Sequence, residues 1–302
     1  MKNEFVEKYS ELAPEPKKFF KILGIPQKPA IRICTNKISR GELIKRLENL
    51  GWKLKQVPFY EDGFVIESKI RPGLSIEHFM GYFYMQEVVS MIPPVILNPK
   101  QNDLVLDMCA APGSKTTQLS ELMKNKGLIV ANDNDVMRLK LLNYAIEKCG
   151  CLNIAQTMMD ARFITRMHKY DKILLDAPCS SEGQIRKNPE VLKNWNQAYV
   201  NKFSELQKQL IDSAFQLLNN NGVLVYSTCT FSPEENEEVV DFLLKKYPDA
   251  RVEKIKLKNF KFSEGISSYG SRKFDAQVRN CARIWPHHND TGGFFAAKIV
   301  KT

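Results

Sequence analysis

Apolar positions in the first 75 residues are spaced for short helices and short strands. The stretches 5–12 and 17–23 predict two helical pieces, broken by Pro14 and Pro16. AIRICTNK (30–37) predicts a strand, and a helix with one apolar face follows, capped at Ser39 and ended by Gly51. WKLKQVPF and GFVIES predict two further strands. Residues 1–75 therefore predict a small α/β appendage.

From residue 80 onward, apolar runs of strand length alternate with longer helical patterns. The predicted strands are DLVLDM (103–108), GLIVAND (127–133), IAQTMMD (154–160), KILLDA (172–177) and GVLVYST (222–228), with helices at about 115–125, 135–149 and 195–218. Because these strands are apolar throughout, helices should cover both faces of the sheet. Residues 76–302 therefore predict a doubly wound, mostly parallel α/β sheet, which binds ligands at the carboxyl ends of its strands. In the last helix, Tyr199 and Phe203 are predicted to be core.

The loop after the first of these strands consists almost wholly of small residues. It reads Cys109, Ala110, Ala111, Pro112, Gly113 and Ser114, followed by Lys115. Small side chains let a ligand lie against the backbone, and the amide groups of the next helix start point toward that space. With one glycine, the loop matches neither G-x-x-x-x-G-K-[ST] nor G-x-G-x-x-G. It predicts a nucleoside with a small polar tail rather than a pyrophosphate; a plain tight turn is the alternative.

Carboxylates close the next two predicted strands. Asp133 lies twenty residues after Gly113, where dinucleotide-binding folds place the acid that holds a ribose. The alternative is that Asp133 caps the following helix, a role that Asn134 or Asp135 could also serve. Arg138 is predicted to support Asp133, and Asp160 to face an adenine amino group. Together they predict a site that binds a nucleoside but lacks a phosphate-binding loop. S-adenosylmethionine fits such a site.

Two cysteines follow the fourth and fifth predicted strands. They lie in Asp176-Ala177-Pro178-Cys179 and in Ser227-Thr228-Cys229-Thr230. Ser232, Pro233 and Glu235 predict a reciprocally capped helix start, which would favour a thiolate at Cys229. If the two strands are neighbours, about 4.8 Å apart, both thiols lie at one edge of the sheet. A buried structural cysteine is the alternative for each thiol.

A thiolate beside a methyl donor indicates a particular chemistry. The C5 carbon of a pyrimidine does not take a methyl group unaided, but addition of a thiolate to C6 turns C5 into an enamine-like nucleophile. A second group must then help to remove the C5 proton and release the enzyme. One cysteine, one carboxylate and one helper satisfy these requirements.

The basic residues are unevenly distributed, although the composition is that of an ordinary globular protein. The net charge of +10 divides into +5 over residues 1–80, −2 over 81–250 and +7 over 251–302. Two basic flanks around a nearly neutral middle predict a polyanionic partner, with a generally basic surface as the alternative. No apolar run approaches the ~20 residues that span a bilayer, and the N-terminus does not read as a secretory signal. Seven cysteines, an odd number, predict free thiols in a reducing, cytoplasmic setting.

Six stretches of the chain carry motifs: GYFYMQEVVSMIPPVIL (81–97), DMCAAPGSKTTQL (107–119), ANDND (131–135), DAPCSSEG (176–183), YSTCTFSPEENE (226–237) and RIWPHHNDTGGFF (283–295). In these stretches the sequence resembles the Sun/RsmB-type RNA cytosine-C5 methyltransferases. The resemblance covers most of residues 75–302 and implies a class I Rossmann-like S-adenosylmethionine-dependent methyltransferase. RICTNK resembles the family's Arg-x-Asn-Thr strand, with Cys34 where the family usually has Asn.

The resemblance also implies roles for the cofactor residues. Residues 109–115 would line the methionine and ribose, Asp133 and Arg138 would help to hold the nucleoside, and Asp160 would lie near the adenine. Asp176 would lie between the methyl donor and the target base, where it receives the exocyclic amine of cytosine.

For the thiols, the resemblance implies that Cys229 is the nucleophile and that Cys179 assists product release. Spacing alone leaves the reverse assignment open, because a Pro-Cys dipeptide after a strand is the nucleophile position in pyrimidine C5 methyltransferases that act on DNA. Thr228-Cys229-Thr230 matches the nucleophile motif of the RNA family, so Cys229 is the predicted nucleophile.

Within the family, the chain looks most like the compact archaeal tRNA branch, which implies a tRNA substrate, with rRNA as the alternative. An N- or O-methyltransferase acting on a small molecule or protein would leave both thiols and the basic flanks unused. A non-catalytic RNA-binding scaffold would be favoured if either thiol were missing, and both are present.

Other features predict less. Cys149-x-Cys151 and His287-His288 are weak metal candidates, since Gly150 reads as a helix stop, and neither a metal nor a membrane is predicted as a partner. Aromatic and basic residues interleave between 260 and 274, which suits stacking on unpaired bases, with burial of half of the aromatic residues as the alternative.

Overall fold

The computed structural model describes residues 2–164 and 168–302. The chain divides into two compact units, one formed by Met1–Gln27 together with Leu175–Thr302 and the other by Lys28–Leu174. The compact units do not divide at residue 75, and a domain boundary there stays a prediction.

Both predicted helices near the N-terminus are present, as α1 (Asn3–Leu12) and α2 (Pro16–Leu23). Pro16 occupies the first turn of α2, where its missing amide hydrogen costs no helical hydrogen bond. Phe5, Tyr9 and Phe19 are fully buried. They belong to a core of aromatic residues that also contains Trp195, Phe231 and Trp285. The two helices are therefore part of the core of the first unit.

The second unit begins with a small antiparallel sheet in the order β2-β3-β1-β4. Its elements are β1 (Ala30–Ile33), α3 (Arg40–Asn49), β2 (Leu54–Gln56), β3 (Gly63–Ile66), α4 (Ile76–Phe79) and β4 (Phe83–Met85). The predicted cap of α3 is confirmed, because Ser39 Oγ accepts a hydrogen bond from the amide of Glu42 at 3.3 Å. Strand β1 is shorter than predicted, because the chain turns after it: Lys37 N donates to Cys34 O at 2.9 Å.

The remainder of this unit alternates strands and helices as predicted. The elements are α5 (Ile92–Leu97), β5 (Leu104–Asp107), α6 (Ser114–Leu122), β6 (Leu128–Asn132), α7 (Val136–Cys149), β7 (Ile154–Thr157) and β8 (Tyr170–Asp176), the last of which ends in the first unit. Strand β5 pairs in parallel with β6 and β8, and β6 pairs in parallel with β7. The strand order β8-β5-β6-β7 places β5, the first in sequence, inside the sheet, which is the doubly wound arrangement that the pattern predicts.

The first unit continues with four α-helices and seven strands over the described residues 190–301. They are α8 (Glu190–Asn194), α9 (Gln197–Leu217), β9 (Leu218–Thr228), α10 (Glu237–Lys246), β10 (Ala250–Glu253), β11 (Ser263–Glu264), β12 (Ser268–Tyr269), β13 (Arg272–Lys273), β14 (Ala282–Ile284), α11 (Pro286–Asn289) and β15 (Phe294–Lys301). Strand β15 pairs antiparallel with β9, β10 and β14. These antiparallel strands after residue 250 were absent from the sequence prediction.

Helix α9 corrects one prediction. Tyr199 is 45% exposed, so its assignment to the core is wrong. The buried stripe runs through Val200, Ser204, Gln207 and Ile211, and Tyr199 lies one position, about 100° of rotation, away from it. Among the described residues, no helix combines the length and hydropathy needed to cross a membrane.

Candidate active site

The loop between β5 and α6 is tied to the end of β6. Ala110 N donates to Asn132 O at 2.8 Å, and the side-chain amide of Asn132 donates to Met108 O at 3.1 Å. Gly113 has a φ of 104°, and a Cβ there would lie 2.9 Å from Ala145 Cβ on α7. Glycine is therefore required both by the backbone conformation and by the close approach of α7.

Asp133 lies beneath this loop and is 2% exposed. Its Oδ2 accepts a hydrogen bond from Ala111 N at 3.2 Å, and its Oδ1 accepts one from Asp135 N at 3.2 Å. Arg138 Nη2 lies 3.5 Å from Oδ2 and donates to Ala111 O at 2.6 Å. Asp135, not Asp133, caps α7, since its Oδ1 accepts from the amides of Met137 and Arg138. The helix-cap alternative for Asp133 is thus wrong.

Two other predicted cofactor residues have different surroundings. Asp160 caps the short 3-10 turn 161–163 and accepts hydrogen bonds on both carboxylate oxygens from the guanidinium of Arg162. Those hydrogen bonds hold the pKa of Asp160 below its ordinary value. Lys115 is 9% exposed and lies in the first turn of α6. Contact of Asp160 with adenine stays a prediction.

The two predicted thiols lie side by side in the first unit. Cys179 Sγ and Cys229 Sγ are 3.3 Å apart, and Cys229 Sγ lies 3.7 Å from Ser181 Oγ. The ends of β8 and β9 are also joined, because Ala177 N donates to Ser227 O at 2.9 Å and Ser227 Oγ donates to Asp176 Oδ1 at 2.7 Å. The predicted convergence of the Cys179 and Cys229 thiols is confirmed, whereas the role of Asp176 stays a prediction.

The surroundings of Cys179 keep its thiol protonated. The hydrogen bond with Cys229, and then burial, raise the pKa of Cys179 well above that of an ordinary thiol. Cys179 therefore keeps its proton at neutral pH and is placed to donate it toward the Cys229 sulphur. A thiol that retains its proton is a poor nucleophile, so Cys179 is poorly suited to attack a base.

A buried carboxylate that the sequence analysis did not assign anchors both thiol loops. Glu182, which is fully buried, accepts hydrogen bonds from Tyr9 Oη at 2.5 Å, Trp195 Nε1 at 2.5 Å, Thr230 Oγ1 at 2.7 Å, Ser232 Oγ at 2.8 Å and Phe231 N at 3.0 Å. This Glu182 network joins the Cys179 loop, the Cys229 loop and α1. The sequence signal that could have identified Glu182 is its position as a lone acidic residue among the small residues that follow Cys179.

Glu235 has a different role from the predicted one. Its carboxylate accepts hydrogen bonds from Ser180 N at 2.9 Å, from Ser180 Oγ, and from Gln207 Nε2 at 2.9 Å. The predicted reciprocal cap is wrong, because Ser232 Oγ donates to Glu182 and the segment Pro233–Glu235 is a 3-10 turn. Burial and the charge of Glu182 raise the pKa of Glu235 to about 7. The hydrogen bonds of Glu235 fix the position of Ser180, the residue that follows Cys179.

We expect the Glu182 network to contribute to stability. Glu182→Gln should lower the free energy of unfolding by at least about 2 kcal/mol, because an amide cannot accept from five donors and leaves buried groups unpaired. Tyr9→Phe removes one donor and should cost about 1 kcal/mol. Denaturant unfolding measures both, with Tyr199→Phe on the exposed face of α9 as the matched control. Equal stability of Tyr9→Phe and Tyr199→Phe would contradict this account.

The remaining candidates are the aromatic and basic residues of 260–274, the two adjacent histidines and Gly150. Phe260 and Phe274 are 7% and 9% exposed, so the core alternative is right for these two, whereas Arg272 and Lys273 are exposed. His287 and His288 are half-buried, and burial lowers the pKa of His288 to about 4. Gly150 ends α7 with a φ of 68°, as predicted.

Comparison with known proteins gives two family matches. The model for the 16S rRNA methyltransferase RsmB/F family matches residues 94–300, and the model for the N-terminal domain of 16S rRNA methyltransferase RsmF matches residues 1–88. Together they account for nearly the whole chain, so the motifs quoted from the sequence lie within one known family.

Two curated relatives are named for different RNA substrates. A tRNA (cytosine(49)-C(5))-methyltransferase of Pyrococcus abyssi is 44% identical over 301 residues, which is 99% of this chain and 96% of the relative. A ribosomal RNA small subunit methyltransferase F of Shewanella piezotolerans is 44% identical over 289 residues, but the chain spans only 58% of that relative's length.

Solved structures give the same fold. A methyltransferase homolog protein from Pyrococcus horikoshii is 33% identical with a TM-score of 0.90, covering 100% of this chain and 96% of that one. NSun6 from the same organism, solved with SFG, is 27% identical with a TM-score of 0.84, covering 99% of this chain and 98% of that one. The α/β methyltransferase fold predicted from the sequence, a Rossmann-like one, is confirmed.

Proposed function

Because this chain belongs to the RsmB/F methyltransferase family, we propose that it methylates the C5 carbon of cytosine in RNA, with S-adenosylmethionine as the methyl donor and tRNA as the substrate. The tRNA substrate is supported by the Pyrococcus abyssi relative, which aligns over 96% of its own length. The alternative is rRNA, and it is supported by the descriptions of both family models. We place the reaction in the cytoplasm, where reduced thiols persist.

The residues around the 109–115 loop suit S-adenosylmethionine. Residues 109–114 of the loop carry small side chains, and the geometry of the loop is set by Asn132 and Gly113. The contacts of Asp133 are long, at 3.2–3.5 Å, and leave its oxygens with acceptor capacity for ribose hydroxyls. Bound there, S-adenosylmethionine would supply an electrophilic methyl group.

The observation that carries the proposal is the 3.3 Å separation of Cys179 Sγ and Cys229 Sγ at the ends of two strands. The Cys229 thiolate adds to C6 of the cytosine, which makes C5 nucleophilic. Asp176 accepts a hydrogen bond from the exocyclic amine and so holds the base in position. After methylation, loss of the C5 proton and departure of the Cys229 sulphur restore the aromatic ring.

Cys179 acts in the second half of this reaction. The hydrogen bond with Cys229 is the first cause of the raised pKa of Cys179. When Cys229 is bonded to the base, its sulphur carries no negative charge, so the pKa of Cys179 falls and its thiolate becomes available to take the C5 proton. The pairing of the thiols therefore explains why Cys179 is protonated before Cys229 attacks the base and can act as a thiolate base afterwards.

The function is tested by incubating the protein and S-adenosylmethionine with unmodified tRNA transcripts and, separately, with small-subunit rRNA. Nucleosides from the digested RNA are then analysed by mass spectrometry. We expect 5-methylcytidine in tRNA. Methylation of rRNA alone would favour the rRNA alternative, and methyl transfer to neither RNA would contradict the proposal.

A variant of Asp133 tests the cofactor residues. Asp133→Ala should weaken S-adenosylmethionine binding by roughly 10- to 150-fold for each lost hydrogen bond, because charge-assisted bonds contribute about 1.5–3 kcal/mol each. Isothermal titration calorimetry gives the affinity, and Glu147→Ala on the exposed face of α7 is the control. Unchanged affinity in Asp133→Ala would remove Asp133 from the cofactor site.

A further inference from the structure

A second close pair of thiols lies in the Lys28–Leu174 unit. Cys34 Sγ and Cys149 Sγ are 3.4 Å apart, and both side chains are fully buried. Cys34 directly follows β1 and Cys149 is the last residue of α7, so 115 positions of sequence separate them. The proposed methyl transfer uses neither thiol.

A buried ion pair lies beside these two thiols. Arg32, fully buried, forms an ion pair with Glu121 and donates to Thr117 Oγ1 at 2.7 Å. Glu121 Oε1 is buried and has no hydrogen-bond partner. Burial raises the pKa of Glu121 to about 8, and the negative charge of Cys149 adds to that rise.

The two thiols are unequal, as a reactive pair requires. The hydrogen bond from Cys34, assisted by the charge of Arg32, lowers the pKa of Cys149 to about 6, whereas Cys34 holds its proton. In the reduced protein, the Cys149 thiolate and the Glu121 carboxyl group therefore share the guanidinium of Arg32. Loss of the thiolate would leave a balanced Arg32–Glu121 pair.

We propose that Cys34 and Cys149 form a cross-linking site, at which hydrogen peroxide converts the two thiols into a disulfide that fastens the end of β1 to the end of α7. The Cys149 thiolate attacks one peroxide oxygen, the O–O bond breaks, and Cys149 sulfenic acid and hydroxide form. Cys34 sulphur then attacks the Cys149 sulphur, and water leaves as the S–S bond forms and Cys34 loses its proton. The two thiols supply two electrons, which reduce the peroxide.

The cross-link should stabilise the protein. It closes a loop of more than a hundred residues, and a disulfide across a long loop removes more entropy from the unfolded chain than one across a short loop. It also removes an ionisable thiol from a site that holds one guanidinium. We expect a rise in melting temperature of roughly 5–10 °C on oxidation.

The test compares wild-type protein treated with hydrogen peroxide and with dithiothreitol. Each sample is unfolded, free thiols are alkylated, and peptides are mapped by mass spectrometry. We expect peroxide to produce a Cys34–Cys149 linked peptide, and dithiothreitol to restore both thiols. Alkylated Cys34 and Cys149 after peroxide treatment would overturn the proposal, as would a zinc ion held by Cys34, Glu121 and Cys149 in the native mass spectrum.

Melting curves separate this pair from the catalytic one. Cys149→Ala retains Cys179 and Cys229, so any shift from oxidation of those thiols persists, while the 5–10 °C rise should disappear. Cys281→Ala removes another buried thiol and should keep the rise. If peroxide still raises the melting temperature of Cys149→Ala by this amount, other thiols cause the rise and this pair does not. Should Cys149→Ala fail to fold, peptide mapping of the wild type still decides.

Discussion

Replacing Cys229 with alanine should abolish methyl transfer, lowering kcat/KM by at least about 10³-fold, as loss of a covalent nucleophile does. Without thiolate addition to C6, the C5 carbon of cytosine stays unreactive. Binding of S-adenosylmethionine should be unchanged, because the loop at 109–115 and Asp133 keep all of their described hydrogen bonds.

The control for this variant is Cys281→Ala. Cys281 is 1% exposed, and burial raises the pKa of its thiol, so it tests the loss of a buried cysteine without loss of a nucleophile. Transfer of labelled methyl groups to RNA and calorimetric cofactor binding provide the two measurements. Residual activity of Cys229→Ala near that of Cys281→Ala would reject the nucleophile assignment.

Cys179→Ala should have the opposite effect on the covalent intermediate. Attack by Cys229 and methyl transfer can proceed, but elimination slows, so a protein–RNA species should accumulate and survive a denaturing gel. The Cys179→Ala/Cys229→Ala double variant should give no such species, because resolution matters only after attack.

The reverse pattern would exchange the roles of the two thiols. An adduct in Cys229→Ala and none in Cys179→Ala would mean that Cys179 attacks the base. The hydrogen bond that keeps Cys179 protonated argues against that outcome, because a thiol that retains its proton is the poorer nucleophile.

The parts of the molecule that follow from local sequence or from the shared geometry of strand ends were predictable. The alternation of strand and helix between 103 and 228 appears in the structure with boundaries shifted by a few residues. Cys179 and Cys229 could be brought together in advance because the ends of neighbouring strands share one edge of a sheet. Ser39 was identifiable as a cap because its partner is three residues away.

The parts that depend on distant contacts were not predictable. Glu182 meets Tyr9 across 173 positions, and no periodicity connects the two. Glu235 has the spacing of a capping residue relative to Ser232. Its carboxylate instead accepts a hydrogen bond from the buried amide of Ser180, which lies 55 positions away. The antiparallel strand β15 pairs with β9 through residues 70 or so positions apart, and its short partners carry too few residues for a clear pattern.

The central claim is that Cys229 bonds to C6 of a cytosine in RNA. It is tested most directly with tRNA that contains 5-fluorocytidine, since fluorine at C5 cannot leave as a proton does and the covalent intermediate is trapped. After S-adenosylmethionine is added and both polymers are digested, tandem mass spectrometry locates the modified residue. We predict a methylated fluorocytidine adduct on Cys229; an adduct on Cys179, or none on either thiol, would contradict the mechanism.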